Sequence, residues 1–168
     1  MFGSRILKEL GAYHAHITPR SDDQGIDFYG ILSLGSAFQL PSPFFQLAHD
    51  VELRFVGQAK HYPDRPVGPS AVRELVGSIS LARHQVFTRD PEFLEDLGLL
   101  ALNPLLAMLF TTGWFTRGAL ELARKAGVMI RSGEQLALFL AERGVGVVQV
   151  SGAPTYCPDA FSSWLNES

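Results

Sequence analysis

The sequence predicts an α/β fold, and three stretches predict it. Val51 to Lys60 alternates in polarity like a strand with two distinct faces. Residues 68 to 83 carry Val72, Leu75, Val76 and Ile79, the apolar stripe of a helix. Leu105 to Thr112 is a continuous apolar run ending in two threonines, as a strand buried on both faces would be. Strand and helix signals keep alternating in this way along the chain.

In order, Phe2 to Leu10 reads as a short helix with Ile6, Leu7 and Leu10 on one face and Gly11 as its stop. Tyr13 to Thr18 is a first strand. His14 and His16 share one of its faces, but without a third ligand nearby they read as polar surface. Pro19 to Gln24 is a polar turn, in which Asp22 and Asp23 serve turn chemistry. Gly25 turns sharply into a second strand, Ile26 to Leu34. Gly35 to Asp50, with Phe44 and Phe45, is longer than a hairpin needs and reads as a lid, a dimer contact or an insertion packed on the core.

The third strand, Val51 to Lys60, places Val51, Leu53 and Phe55 on one face. Glu52, Arg54, Val56, Gln58 and Lys60 lie on the other. A rigid loop from His61 to Pro66 follows, and His61 and Arg65 are candidate phosphate contacts. Pro69 suits the first turn of the helix Gly68 to Arg83, with Arg73 and Arg83 solvated. Thr88 to Leu102 holds a short helix whose Asp90, Glu92, Glu95 and Asp96 suit a helix N-terminus. Thr116 caps the next helix, which Gly127 ends, and Phe115 can staple onto Leu120. Val128 to Arg131 is a short strand. Ser132 and Gln135 make a capping box for a helix with Leu136, Phe139 and Leu140, stopped by Gly144. Gly146 to Val150 is one more strand, and from Gly152 onward no chemistry is legible.

Bulk properties narrow the function. A length of 168 residues suits one domain, residues 1–168, with a sizeable core. With 46% hydrophobic and 18% charged residues, the composition is that of a globular protein. The net charge of -3 argues against a broad basic coat, so nucleic-acid binding would need a local patch or a partner. A single cysteine, Cys157, rules out an internal disulfide and fits a reducing, cytoplasmic setting. The N-terminus lacks the apolar core of a signal peptide. The most apolar stretch, Leu97 to Phe110, is broken by Asn103-Pro104 and is too short to span a bilayer. There is no Gly-rich phosphate loop, no zinc spacing of Cys and His, and no GxSxG.

The chemistry concentrates between Ile17 and Lys60. Asp27 begins one strand, and Gln58-Ala59-Lys60 ends the next. Two oxygen donors and a cation meeting at one point are what metal-assisted phosphodiester hydrolysis needs. Alone, each residue is an ordinary strand-end polar group; together they form a constellation.

Gly25-Ile26-Asp27 followed by Gln58-Ala59-Lys60 resembles the PD-(D/E)xK nuclease superfamily. The likeness is to its Mrr-like restriction endonuclease branch, the type IV Mrr catalytic domain in its Gln-x-Lys variant. It continues in VRELVGSISLAR and in LFTTGWFTRGALELARKAGVMIRSGEQLALFL, and so spans Gly11 to about Leu140. The resemblance implies a restriction endonuclease-like fold, a central mixed sheet flanked by helices on both faces. It implies Asp27, Gln58 and the carbonyl of Ala59 as ligands of magnesium or manganese. Lys60 then orients the attacking water and offsets phosphate charge. Relatives carry an acid near the start of the first helix, where this chain has Gly3. The implied function is a metal-dependent DNA endonuclease in restriction or defence against foreign DNA. The implied partner is DNA, met as a homodimer or with a DNA-recognition partner, and no membrane is involved. The alternative is a catalytically inactive nuclease-fold module that binds or regulates within a larger assembly.

Overall fold

The computed structural model describes residues 1–18, 25–37, 50–84, 96–100 and 102–167, with backbone alone for 36 and 37. Its main sheet has five strands in the order β1-β2-β3-β4-β5. β1 (His14–Ile17), β2 (Phe28–Ser33) and β3 (Glu52–Lys60) pair antiparallel. β4 (Leu105–Thr111) and β5 (Met129–Arg131) continue from β3 in parallel. Parallel neighbours require crossover connections, and the helical stripes after β3 and β4 supply them.

Helices cover both faces, as expected. α1 (Phe2–Glu9) precedes the sheet, and a short α2 (Leu34–Ala37) directly follows β2, where a loop was expected. α3 (Pro69–Arg83) and α4 (Arg117–Ala126) lie on one face. α5 (Gly133–Glu142), α1 and the C-terminal α6 (Pro158–Asn166) lie on the other. β4 shows why two layers form. Its Ala107 and Leu109 pack into the core under α3 and α4, while Met108 and Phe110 pack into the core under α1, α5 and α6. Buried alternation on both sides demands a helical cover on both sides.

Local signals hold where they are strong. Thr116 accepts the Ala119 N–H at the start of α4, and Gly127 ends it with φ 71°. Ser132 and Gln135 form the expected capping box of α5. Three details differ. Val76 is 40% exposed, because the buried stripe of α3 runs through Ala71, Val72, Leu75, Ser78 and Ala82 instead. Arg83 is half-buried and donates to the Asn103 carbonyl, so it is not simply solvated. Phe115 packs against the α3–α4 core and Leu120 stays 48% exposed.

The stretch from Gly152, blank in sequence terms, is structured. β6 (Val147–Val150) and β7 (Ala153–Tyr156) form a hairpin apart from the main sheet. Pro158 sits in the first turn of α6. Trp164 then donates to Glu9 at 2.7 Å and lies under the Arg5 guanidinium, and Arg5 pairs with Glu167 at 2.8 Å. These contacts fasten α6 to α1. Asp22, Asp23, Phe44, Phe45, Asp90, Glu92 and Glu95 lie outside the described residues. Asp96 accepts the Tyr29 hydroxyl at 3.2 Å. Among the described residues, no helix is long and apolar enough to cross a membrane.

Candidate functional site

The site is built where β2 begins and β3 ends. Gly25 turns with φ 69°, a conformation that glycine adopts without the Cβ penalty. A side chain there would also strike the Ser78 hydroxyl of α3. The Thr18 hydroxyl donates to the Ile26 carbonyl. Asp27 follows, with its N–H on the Gly57 carbonyl at 2.8 Å. Its carboxylate reaches two residues farther and accepts the Ala59 N–H at 2.7 Å. Asp27 is thereby held against the middle of the Gln58-Ala59-Lys60 triplet. A strand residue sends its N–H and C=O to the same edge, so the Ala59 carbonyl leaves β3 on the side of Asp27.

Gln58 is 2% exposed on the α3 face of β3. Its amide nitrogen donates to Glu74 of α3 at 2.6 Å. The Lys60 ammonium lies 3.1 Å from the same carboxylate oxygen. A carboxylate only accepts, so the Gln58 nitrogen must face it and the amide oxygen must point away. That oxygen is buried and has no hydrogen-bond partner among the described residues. Such a group costs on the order of 1–3 kcal/mol, which an apolar side chain would avoid. Burial pushes the Glu74 carboxyl upward. The hydrogen bonds from Gln58 and Lys60, and the Lys60 charge, outweigh it and hold the group below its ordinary 4.5.

Glu74 is the residue that sequence reasoning missed. It lies beside the buried stripe of α3, where a glutamate ordinarily meets only water. One turn later, Ser78 donates to the Glu74 carbonyl at 2.9 Å and abuts Gly25. One helix therefore supports both the Asp27 turn and the Gln58–Lys60 pair. The first helix carries no comparable group. A Cβ at Gly3 would overlap the Phe28 ring, so that position is a core contact. Glu9, also on α1, is taken up by Trp164.

His61 and Arg65 follow the triplet on an exposed loop, and Arg65 stacks over the Tyr62 ring at 3.9 Å. His61 and Lys60 also border an open cavity of about 1200 Å³ on the other face, walled mainly by apolar side chains of α1, α5, α6 and the β6–β7 hairpin. His14 and His16 stack on each other and stay exposed.

The donors present fit a hard divalent cation: the Asp27 carboxylate, the unpartnered Gln58 amide oxygen and the edge-facing Ala59 carbonyl are all oxygens. Among the described residues, no group of three or more His, Cys, Asp or Glu side chains could hold a metal by itself. The set therefore joins one carboxylate, that of Asp27, to one neutral side-chain oxygen and one backbone carbonyl.

Comparison with known proteins agrees with the architecture. The model of the family Mrr_cat, described as restriction endonuclease, matches residues 2–88. No curated protein matches the chain. In fold, the chain is similar to the DNA modification-dependent restriction endonuclease AspBHI, with TM-score 0.58 and 19% identity over 98% of this chain and 33% of that one. MspJI restriction endonuclease in complex with a 27-mer oligonucleotide aligns with TM-score 0.49 and 22% identity, over 82% of this chain and 25% of that one. The chain thus spans a third or less of the length of either protein.

Proposed function

Because the chain belongs to the Mrr_cat restriction endonuclease family, we propose that residues 1–168 act as one metal-dependent DNA endonuclease domain in restriction or defence. The observation that carries this reading is the hydrogen bond from Ala59 to Asp27, which holds a carboxylate against the Gln58-Ala59-Lys60 triplet. Asp27, the Gln58 amide oxygen and the Ala59 carbonyl would hold magnesium or manganese. A bound cation supplies positive charge for the phosphate oxygens and acidity for the attacking water. Lys60 is the catalytic cation of the chain itself. Its ammonium orients that water and offsets charge on the phosphate as the bond to the leaving oxygen lengthens. His61 and Arg65 lie on the exposed loop that follows Lys60 and are assigned to flanking phosphates.

The net charge of -3 leaves little general attraction for DNA. Recognition is therefore assigned to a partner module or to a second copy, and a second copy would also supply the second cut of a duplex. The test is cleavage of supercoiled plasmid in magnesium or manganese, beside Lys60→Ala. Nicked or linear product from the parent, with cleavage by the variant slowed by about 10²–10³-fold, supports the reading. Equal cleavage by both ends the assignment of Lys60, and no cleavage by either, with metal bound, favours the inactive module.

A further inference from the structure

We propose that Glu74 is a positioning residue that sets which end of the Gln58 amide the metal meets. This rests on the nuclease reading of the site and adds to it a residue outside the Asp and Gln-x-Lys motif. An amide can turn either way. If its nitrogen faced the cation, two N–H dipoles would repel positive charge. If its oxygen does, it becomes a ligand. Glu74 decides between the two, because its acceptor lies 2.6 Å from the Gln58 nitrogen and leaves the oxygen turned away, buried and without a partner among the described residues. The same carboxylate oxygen lies 3.1 Å from Lys60, so one group also holds the ammonium near the strand end. Within α3, Ser78 donates to the Glu74 backbone carbonyl, and Ser78 and the Glu74 Cγ both border the space that a Gly25 side chain would need. A glutamine ligand is workable here because a helix-borne anion orients it. Partners that orient metal ligands typically change metal affinity by about 10–100-fold.

The experiment is calorimetric titration of the whole chain with manganese, so the readout is binding and not cleavage. Four proteins are compared: the parent, Glu74→Ala, Glu74→Gln and Asp27→Ala. Glu74→Gln keeps an acceptor for the buried Gln58 nitrogen and should melt with the parent, whereas Glu74→Ala leaves that nitrogen unpaired and should melt lower while still folded at the temperature of the titration. Glu74→Ala should weaken manganese binding by about tenfold or more. Glu74→Gln keeps an acceptor oxygen for the Gln58 nitrogen and should stay within about threefold of the parent, since only charge is lost. A double variant, Gln58→Glu with Glu74→Gln, reverses donor and acceptor across the same contact and should bind at least as well as the parent.

Two results would overturn the proposal, and they are distinguishable. If Asp27→Ala abolishes binding while Glu74→Ala leaves it unchanged, the metal site stands and the role of Glu74 falls. If the parent itself binds no manganese, the role of Glu74 falls together with the metal site.

Discussion

The two faces of the sheet handle burial differently. Under α1, α5 and α6, β2 to β4 present Phe28, Phe55, Met108 and Phe110, with Phe28 stacked on Phe110 at 5.3 Å. Gly3 and Gly57 leave room for the Phe28 ring, since a Cβ on either would overlap it. Around that ring volume is matched to volume, while the same face also buries Arg5 and opens into the cavity of about 1200 Å³. Under α3 and α4, Val56 and Leu109 serve the same purpose, but toward the strand end Gln58 is buried with them. Its burial is tolerated because Glu74 reaches down to one half of the amide. The other half remains unpartnered among the described residues, and that is the half the proposed chemistry uses. Around Phe28 one face is bound by packing, whereas at the end of β3 the other keeps a buried polar group whose proposed use lies outside stability.

Substitutions should separate the two faces. Phe28→Ala on the apolar face should lower unfolding stability by about 3–5 kcal/mol, because the ring is 1% exposed and its neighbours have shaped glycines around it. Denaturant titration checks this, and a loss well under 1 kcal/mol would show that the ring is not the keystone described. Lys60→Ala on the polar face should behave in the opposite way. Stability should hold, manganese binding should hold, and the cleavage rate should fall by about 10²–10³-fold, roughly 3–4 kcal/mol on the barrier. Loss of metal binding in that variant would mean that Lys60 works on the ground state.

Gln58→Glu should be gentler. It adds a charged ligand and should lower the magnesium needed for half-maximal cleavage by about tenfold, although the new carboxylate must sit beside Glu74. An increased magnesium requirement would show that repulsion from Glu74 outweighs the added ligand charge.

The smallest effect belongs to the sheet edge. Tyr13 donates to Glu52 at 2.6 Å. That hydrogen bond, then burial and the Glu52 charge, raise the phenol above 10.0 against the opposing Arg54. The bond from Tyr13 lowers Glu52 below 4.5 against burial, with Arg54 and His14 assisting. A raised phenol contributes stability that is present below pH 10.0 and lost as pH rises through the shifted value. A lowered carboxyl contributes stability that is present above pH 4.5 and lost as pH falls through its own. Tyr13→Phe should therefore flatten both limbs of a stability-against-pH curve slightly, since both groups are largely solvated. Unchanged limbs would remove the pair from the pH response.

Sequence reasoning reached as far as local periodicity reaches. Alternation placed Gln58 and Lys60 on one face of β3, and Gly25 announced the turn before Asp27, because both are properties of neighbouring residues. The α5 capping box was legible for the same reason. Glu74 was not. A glutamate beside an apolar stripe reads as solvated until α3 is laid across β3, and the contact spans sixteen residues of chain. Nor was α6, whose Trp164 meets its partner Glu9 across 155 positions. Gly3 looked like an acid missing from the first helix, and only packing shows that Phe28 occupies the space a side chain would need. By itself, the sequence determined the main strands and helices from α1 to β6, apart from the short α2, and the Gly-Ile-Asp and Gln-Ala-Lys elements, which depend on residues within a few positions of one another. The direction of the Gln58 amide, the helix that holds it and the anchoring of the C-terminal segment were decided by tertiary structure, because hydrogen bonds between distant elements exist only after those elements have packed.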